Sequence, residues 1–262
     1  MMLKQFSTWI HLYYLQLKKY QFRYLIWPLV IIPLTFILDI VLRNAYIEEV
    51  LFYGKYVPYL YILFLASVVV DLFGWIVPQI FYNIIPYDKE RIYQLLMMDT
   101  KQWIAAVSIW NLLLIVLRTT IIFLPFKLLY NLSISYYFIT LLAICAIIPF
   151  SVGLGLLLSY FAFTLRHDAE PLWWSISTVA WSVFPLGYAL TIFSEKTRYI
   201  IEIIVPIFGI IEEFRKLAIL GQPLYNVLLQ SIFVSIIYLL AGYIIFKYSY
   251  NKARKTGKIL LS

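Results

Sequence analysis

Six hydrophobic stretches, each long enough to cross a bilayer, occupy most of the 262 residues. A hydrocarbon core roughly 30 Å thick needs about 20 apolar helical residues to cross it. In lipid every backbone polar group must be paired within the protein, so helices are the natural way across. The pattern predicts an all-α polytopic membrane protein with spans near 24–42, 56–80, 103–125, 136–161, 172–193 and 224–246. Composition agrees: 63% of residues are hydrophobic and 13% charged, against about 25% charged in ordinary soluble domains. A chain with so little polar surface acts in, on or across a membrane. Its first apolar run starts at Tyr24, so no cleavable signal peptide is expected.

The apolar run from Tyr199 to Ile211 is interrupted by Glu202 and Pro206 and is too short to span. Charge supports leaving it out. With six spans, thirteen of the 21 lysines and arginines fall beside the termini and the loops 86–102 and 162–171; seven fall opposite, and Arg118 lies inside a span. The positive-inside rule then places both termini in the cytoplasm; the location expected for the chain is the cell (plasma) membrane. A seventh span would put the basic tail outside. Residues 194–221 are therefore expected to form a re-entrant or surface-lying pair of short outer helices. A cysteine at Glu212 or Lys216 would then be reachable from outside, and one near Lys255 would not.

Residues 3–23 repeat apolar side chains at steps of three and four: Leu3, Phe6, Ile10, Tyr13, Leu17 and Tyr20. The opposite face carries Lys4, His11 and Lys18. This predicts an amphipathic helix lying in the interface plane. The net charge of +8 follows from topology and does not point to nucleic acid. The whole chain reads as one transmembrane domain, 1–262, with membrane lipids as an obligate partner.

Soluble-enzyme chemistry is not visible. No phosphate-cradling Gly-x-x-x-x-Gly-Lys-Ser/Thr loop, no His-Glu-x-x-His and no Gly-x-Ser-x-Gly occurs. The single Cys145 offers no disulfide or cysteine-based metal site and is expected to pack as a small residue. His167, beside Arg166, Asp168 and Glu170, reads as part of a charged turn between spans rather than an acid–base site. Ionisable residues inside spans are functional candidates by default, and there are three: Asp39, Asp71 and Arg118. A structural Asp71–Arg118 pair is favoured over a proton relay at Asp71.

The order of elements carries a resemblance. Asp88-Lys89-Glu90-Arg91 precedes Leu95-Leu96-Met97 after the second span. The fourth span holds Gly153-Leu154-Gly155 and ends in Leu165-Arg166-His167-Asp168. Ser182-Val183-Phe184-Pro185 lies in the fifth, and Pro206 precedes Glu212 and Arg215 in the outer segment. Taken in order, these resemble the membrane subunit of type-2 ATP-binding-cassette exporters over nearly the whole chain. Departures are Val205, where that family often has Asn, and Val183, where it often has Gly.

The resemblance implies that the chain is no enzyme and holds no cofactor or metal. ATP and Mg would sit on separate cytoplasmic ATPase subunits. A second copy of the chain, or a similar permease, would complete the path. Asp88, Lys89, Glu90, Arg91, Leu95, Leu96, Arg166, Asp168 and Glu170 would couple to the ATPase. Ser175, Ser177, Trp181, Ser182 and Asp71 would line the path, and Pro206, Glu212 and Arg215 would form an outer gate. The competing readings are an ion-coupled secondary transporter and an intramembrane lipid-modifying enzyme. The first usually shows internal repeats, and none is visible here.

Overall fold

The computed structural model describes residues 27–46, 49–84, 100–165, 175, 178, 190–223 and 226–256. A π-helical turn, Trp27–Ile31, runs into α1 (Ile32–Tyr46). A hairpin of β1 (Glu49–Phe52) and β2 (Lys55–Pro58) leads directly into α2 (Tyr59–Ile84). The long helices α3 (Thr100–Tyr130) and α4 (Ile134–Leu165) follow. A 3-10 turn, Leu190–Ile192, precedes the short helices α5 (Glu195–Ile204) and α6 (Pro206–Arg215). A π turn, Lys216–Leu220, then leads towards the last helix, α7 (Asn226–Lys255).

Four helical segments are long and apolar enough to cross a membrane: Tyr59–Pro78, Ser108–Tyr130, Ile134–Phe161 and Val227–Lys255. The chain is thus a multi-pass helical membrane protein. Leu29–Leu42 is a shorter apolar helix. The expected fifth span, 172–193, and the expected interfacial helix, 3–23, fall almost wholly or wholly outside the described residues.

Two compact units divide the chain. Met1–Tyr46 with Met98–Ile134 forms one, and Ile47–Met97 with Ser135–Ser262 the other. The first is built on α1 and α3. Val30, Leu34, Leu38 and Leu42 form an exposed apolar ridge at steps of four, while Asn111, Arg118 and Thr119 of α3 are buried. This inverts the pattern of a soluble helix and matches one whose outer surface meets acyl chains.

In the second unit, glycines set the helix crossings. A Cβ on Gly153 of α4 would lie 2.5 Å from the Leu239 backbone nitrogen of α7, and one on Gly242 would strike the Gly153 carbonyl. The two backbones meet glycine to glycine, as small residues permit inside membranes. On the other side of α4, Gly155 sits against Val77 and Ile80 of α2. Aromatic rings seal the layer: Phe150 stacks on Phe73 of α2 at 5.6 Å and meets Tyr238 of α7 edge-on at 5.0 Å.

Hydroxyls within these helices bond back to the preceding turn. Thr140 donates to the Tyr136 carbonyl, Ser235 to Ser231 and Ser249 to Ile245, each within 2.7–2.8 Å. A polar group in lipid is satisfied locally this way. Pro78, Pro125 and Pro149 lie inside α2, α3 and α4.

The hairpin departs from the sequence expectation, which began a span at 56. Tyr53 and Gly54 both take positive φ, 48° and 81°. That is the twist a two-residue hairpin turn needs, and it turns Lys55–Pro58 back along Glu49–Phe52. The helix therefore starts at Tyr59. Cys145 also differs: it lies on the exposed face of α4 and is not packed inside.

Candidate functional site

Four charged side chains of the second unit, Glu212, Glu213, Arg215 and Lys216, pair in and just after α6. Every residue of this ten-residue helix is buried, including Glu212, Glu213 and Arg215. Pro206 occupies the start of α6, where its missing N–H costs nothing. With Val205 it breaks the run 199–211 into two helices.

Arg215 is fully buried. Its Nε and Nη2 both donate to the Ile62 carbonyl, at 3.1 and 2.8 Å, near the start of α2. Its Nη1 lies 3.7 Å from Glu212 Oε2. Glu212 Oε1 accepts two further hydrogen bonds, from the Tyr53 hydroxyl at 2.8 Å and the Leu190 backbone N–H at 3.0 Å. One carboxylate thus joins the hairpin turn, the 3-10 turn and α6, and its ion pair extends the connection to α2. Tyr136, at the start of α4, donates to the Tyr61 carbonyl next to Ile62.

A second pair flanks the first. Lys216 Nζ lies 2.7 Å from Glu213 Oε1 and 4.9 Å from the centre of the Tyr53 ring. The Tyr53 ring is therefore held by a cation at its face and a carboxylate at its hydroxyl. Below the turn, Phe52, Val57 and Ile62 form an apolar cluster, with Val50, Ile219 and Leu220 packed against it. Burial, and then the Glu212 negative charge, raise the Tyr53 pKa above its ordinary value. Both effects disfavour the phenolate, so the group stays a donor.

Helix α5 is inside-out. Its Tyr199, Ile200 and Ile204 are 55%, 54% and 55% exposed, whereas Glu202 is 9% exposed and lies 3.9 Å from Arg198. A surface helix in water would present the reverse. The last carbonyl of α5, Ile204, accepts a 2.8 Å hydrogen bond from Tyr238 of α7. Tyr238 is twelve residues past Asn226, hence about 18 Å along that helix. From there α6 runs back towards the start of α7. A Cβ on Gly209 would strike the Ser231 hydroxyl and would lie 3.4 Å from Val227.

This arrangement ties the hairpin, the 3-10 turn, α2 and α6 together. Among the described residues no three His, Cys, Asp or Glu side chains gather as a metal site. No model of a known protein family matches the chain, and no curated protein sequence matches it.

Of the residues singled out from sequence, Glu212 and Arg215 come together, while Pro206 stands at the far end of α6. Asp71 is half-buried in the second unit and Asp39 half-buried in the first, where Arg118 also belongs. Ser175 is exposed; Ser177, Trp181 and Ser182 lie outside the described residues, as do Asp88, Lys89, Glu90, Arg91, Leu95, Leu96, Arg166, Asp168 and Glu170. The burial of Glu212 corrects one expectation: at 1% exposure a cysteine there is shielded from a reagent in water. Sequence reasoning missed Tyr53, whose signal was a Tyr-Gly turn between β-prone segments. It also missed the Leu190 N–H and the Ile62 carbonyl, because backbone partners carry no sequence signature.

Proposed function

We propose that the chain is the permease subunit of an ATP-driven exporter, with six spans, both termini cytoplasmic, and a path completed by a second copy or a similar chain. Separate ATPase subunits supply the energy, through the charged segment at 88–97 and the turn at 166–170. The ordered sequence resemblance supports this reading.

The observation that carries it is the placement of α5 and α6. The break between them is tied to α7 about 18 Å from the helix start, near the middle of a hydrocarbon layer roughly 30 Å thick. Past its first turn α5 exposes Tyr199, Ile200 and Ile204 and buries Glu202. A helical pair that dips to mid-depth and returns, just ahead of the last span, is what the family resemblance implies for the outer face. The Glu212–Arg215 clamp would hold that pair on α2 and the hairpin.

The test is purification of the tagged chain from its native membrane in mild detergent. An ATP-binding-cassette ATPase recovered in stoichiometric amount, whose hydrolysis Glu90→Ala with Arg91→Ala uncouples from transport, supports the proposal. A chain that purifies without any ATPase and carries substrate on an ion gradient refutes it.

A further inference from the structure

Helix α7 presents one continuous stripe that changes character once. Leu229, Phe233, Ile236, Leu240 and Ile244 recur at steps of four, three, four and four residues, and each is exposed. These steps keep them on one helical face. The next step of three lands on Lys247. Arg254 follows two turns later on the same line; Lys252 and Lys255 lie in the same last turn but round the helix from it, and all four cations are exposed. Tyr248, 62% exposed, stands at the change from apolar to basic.

The opposite face is occupied by the protein. Phe246, Ser249, Tyr250 and Ala253 are buried, and the rings of Phe246 and Tyr250 lie 5.9 and 6.2 Å from that of Phe163 in α4. The basic face is therefore turned away from the packed interior. Residues 226–256 contain no Asp or Glu, and none of the four cations forms an ion pair among the described residues.

The length is also telling. From Leu229 to Lys247 is eighteen residues, or about 27 Å of helix, close to the thickness of a hydrocarbon core. Apolar side chains cover that depth and cations begin where it ends. Tyrosine at the junction suits the headgroup level. Lysine and arginine stems extend to the headgroups and hold phosphate there.

We infer that the basic end of α7 is a docking surface for anionic phospholipid headgroups of the adjacent leaflet, with the acyl chains of the same lipids lying along the Leu229–Ile244 stripe. Charge complementarity selects this occupant: cations that form no ion pair among the described residues stand at the end of an apolar face of membrane length, with Lys247 and Arg254 on its line, a pattern that fits an amphiphile with a negative head. A free phosphate ion matches the cations but leaves the stripe unused. An acidic protein surface likewise has no use for it. The inference needs only that α7 crosses a membrane, and it stands or falls separately from the exporter reading.

The experiment compares lipids around the reconstituted protein by spin-label resonance. The immobilised fraction of spin-labelled phosphatidylglycerol is measured against that of phosphatidylcholine. Each near-surface cation is expected to favour the anionic lipid by about fivefold at most. The wild-type chain should therefore immobilise phosphatidylglycerol preferentially, and added salt should weaken the preference. The variant K247Q/K252Q/R254Q/K255Q should lose most of it, while K55Q/K196Q, at exposed cations elsewhere, should keep it. Soluble glycerol phosphate should not displace the lipid. Equal immobilisation of both lipids by the wild type, or an unchanged preference in the fourfold variant, would overturn the inference. So would displacement by glycerol phosphate, which would mean a simple anion site.

Discussion

The Tyr53 hydroxyl donates a 2.8 Å hydrogen bond to the Glu212 carboxylate across 159 positions of sequence. The same carboxylate faces Arg215, whose guanidinium holds the Ile62 carbonyl. A buried ion pair of this kind adds little net stability compared with an apolar replacement, yet breaking one partner is costly. Its value lies in fixing one arrangement of hairpin, α2 and α6.

Glu212→Ala should therefore cost about 3–5 kcal/mol, because the Arg215 guanidinium stays buried without that carboxylate. Tyr53→Phe should cost about 1–3 kcal/mol, leaving a carboxylate lone pair unfilled. Thermal unfolding in detergent measures both. In the double variant the losses should fall short of their sum, since the two share one bond. Additive losses would show that the residues act independently.

The Tyr53 phenol should resist ionisation. Its pKa in the folded protein is raised above the ordinary value of about 10. The stability drawn from its hydrogen bond is therefore fully present below pH about 10 and is lost only as pH climbs through the higher, folded value. The difference in phenolate absorbance between the wild type and Tyr53→Phe should show no transition near the ordinary tyrosine pKa. A step there would mean the hydroxyl is open to water.

The glycine crossing of α4 and α7 predicts a second, independent loss. A side chain at Gly153 must push into the Tyr238–Leu239 backbone. Gly153→Val should cost about 1–3 kcal/mol or separate the helices. Cys145→Ala on the exposed face of α4 should stay within about 0.5 kcal/mol. Equal effects of the two would contradict the crossing.

Topology can be read by labelling a Cys145→Ala background. Lys196→Cys, exposed at the start of α5, should react with an impermeant maleimide from outside. Glu212→Cys should react only after unfolding, because the site is buried. Lys255→Cys should react only from the other side. Labelling of positions 196 and 255 from one side would overturn the six-span arrangement.

What the sequence made legible followed from hydrophobic period and length. The long helices α2, α3, α4 and α7 were visible because each apolar run exceeds the bilayer requirement. Pro206 and Glu202 marked the break between α5 and α6, since neither suits an unbroken span. The hairpin was not legible by that rule. Val50 to Val57 is apolar enough to merge with the following helix, and only the Tyr53-Gly54 turn separates them. Glu212 and Arg215 stood out only through the family resemblance, and their pairing with each other was not read. Their other partners were not legible, because Ile62 and Leu190 contribute backbone atoms and Tyr53 is remote in sequence.

The most direct measurement of the exporter reading is ATP hydrolysis and transport by the chain reconstituted with its ATPase in sealed vesicles. The account predicts transport that requires ATP, a dimeric membrane part, and turnover lowered by Trp181→Ala. It also predicts hydrolysis uncoupled from transport in Glu90→Ala/Arg91→Ala. Transport by the chain alone, driven by an ion gradient and abolished by Asp71→Asn, would contradict it and make the protein a secondary transporter.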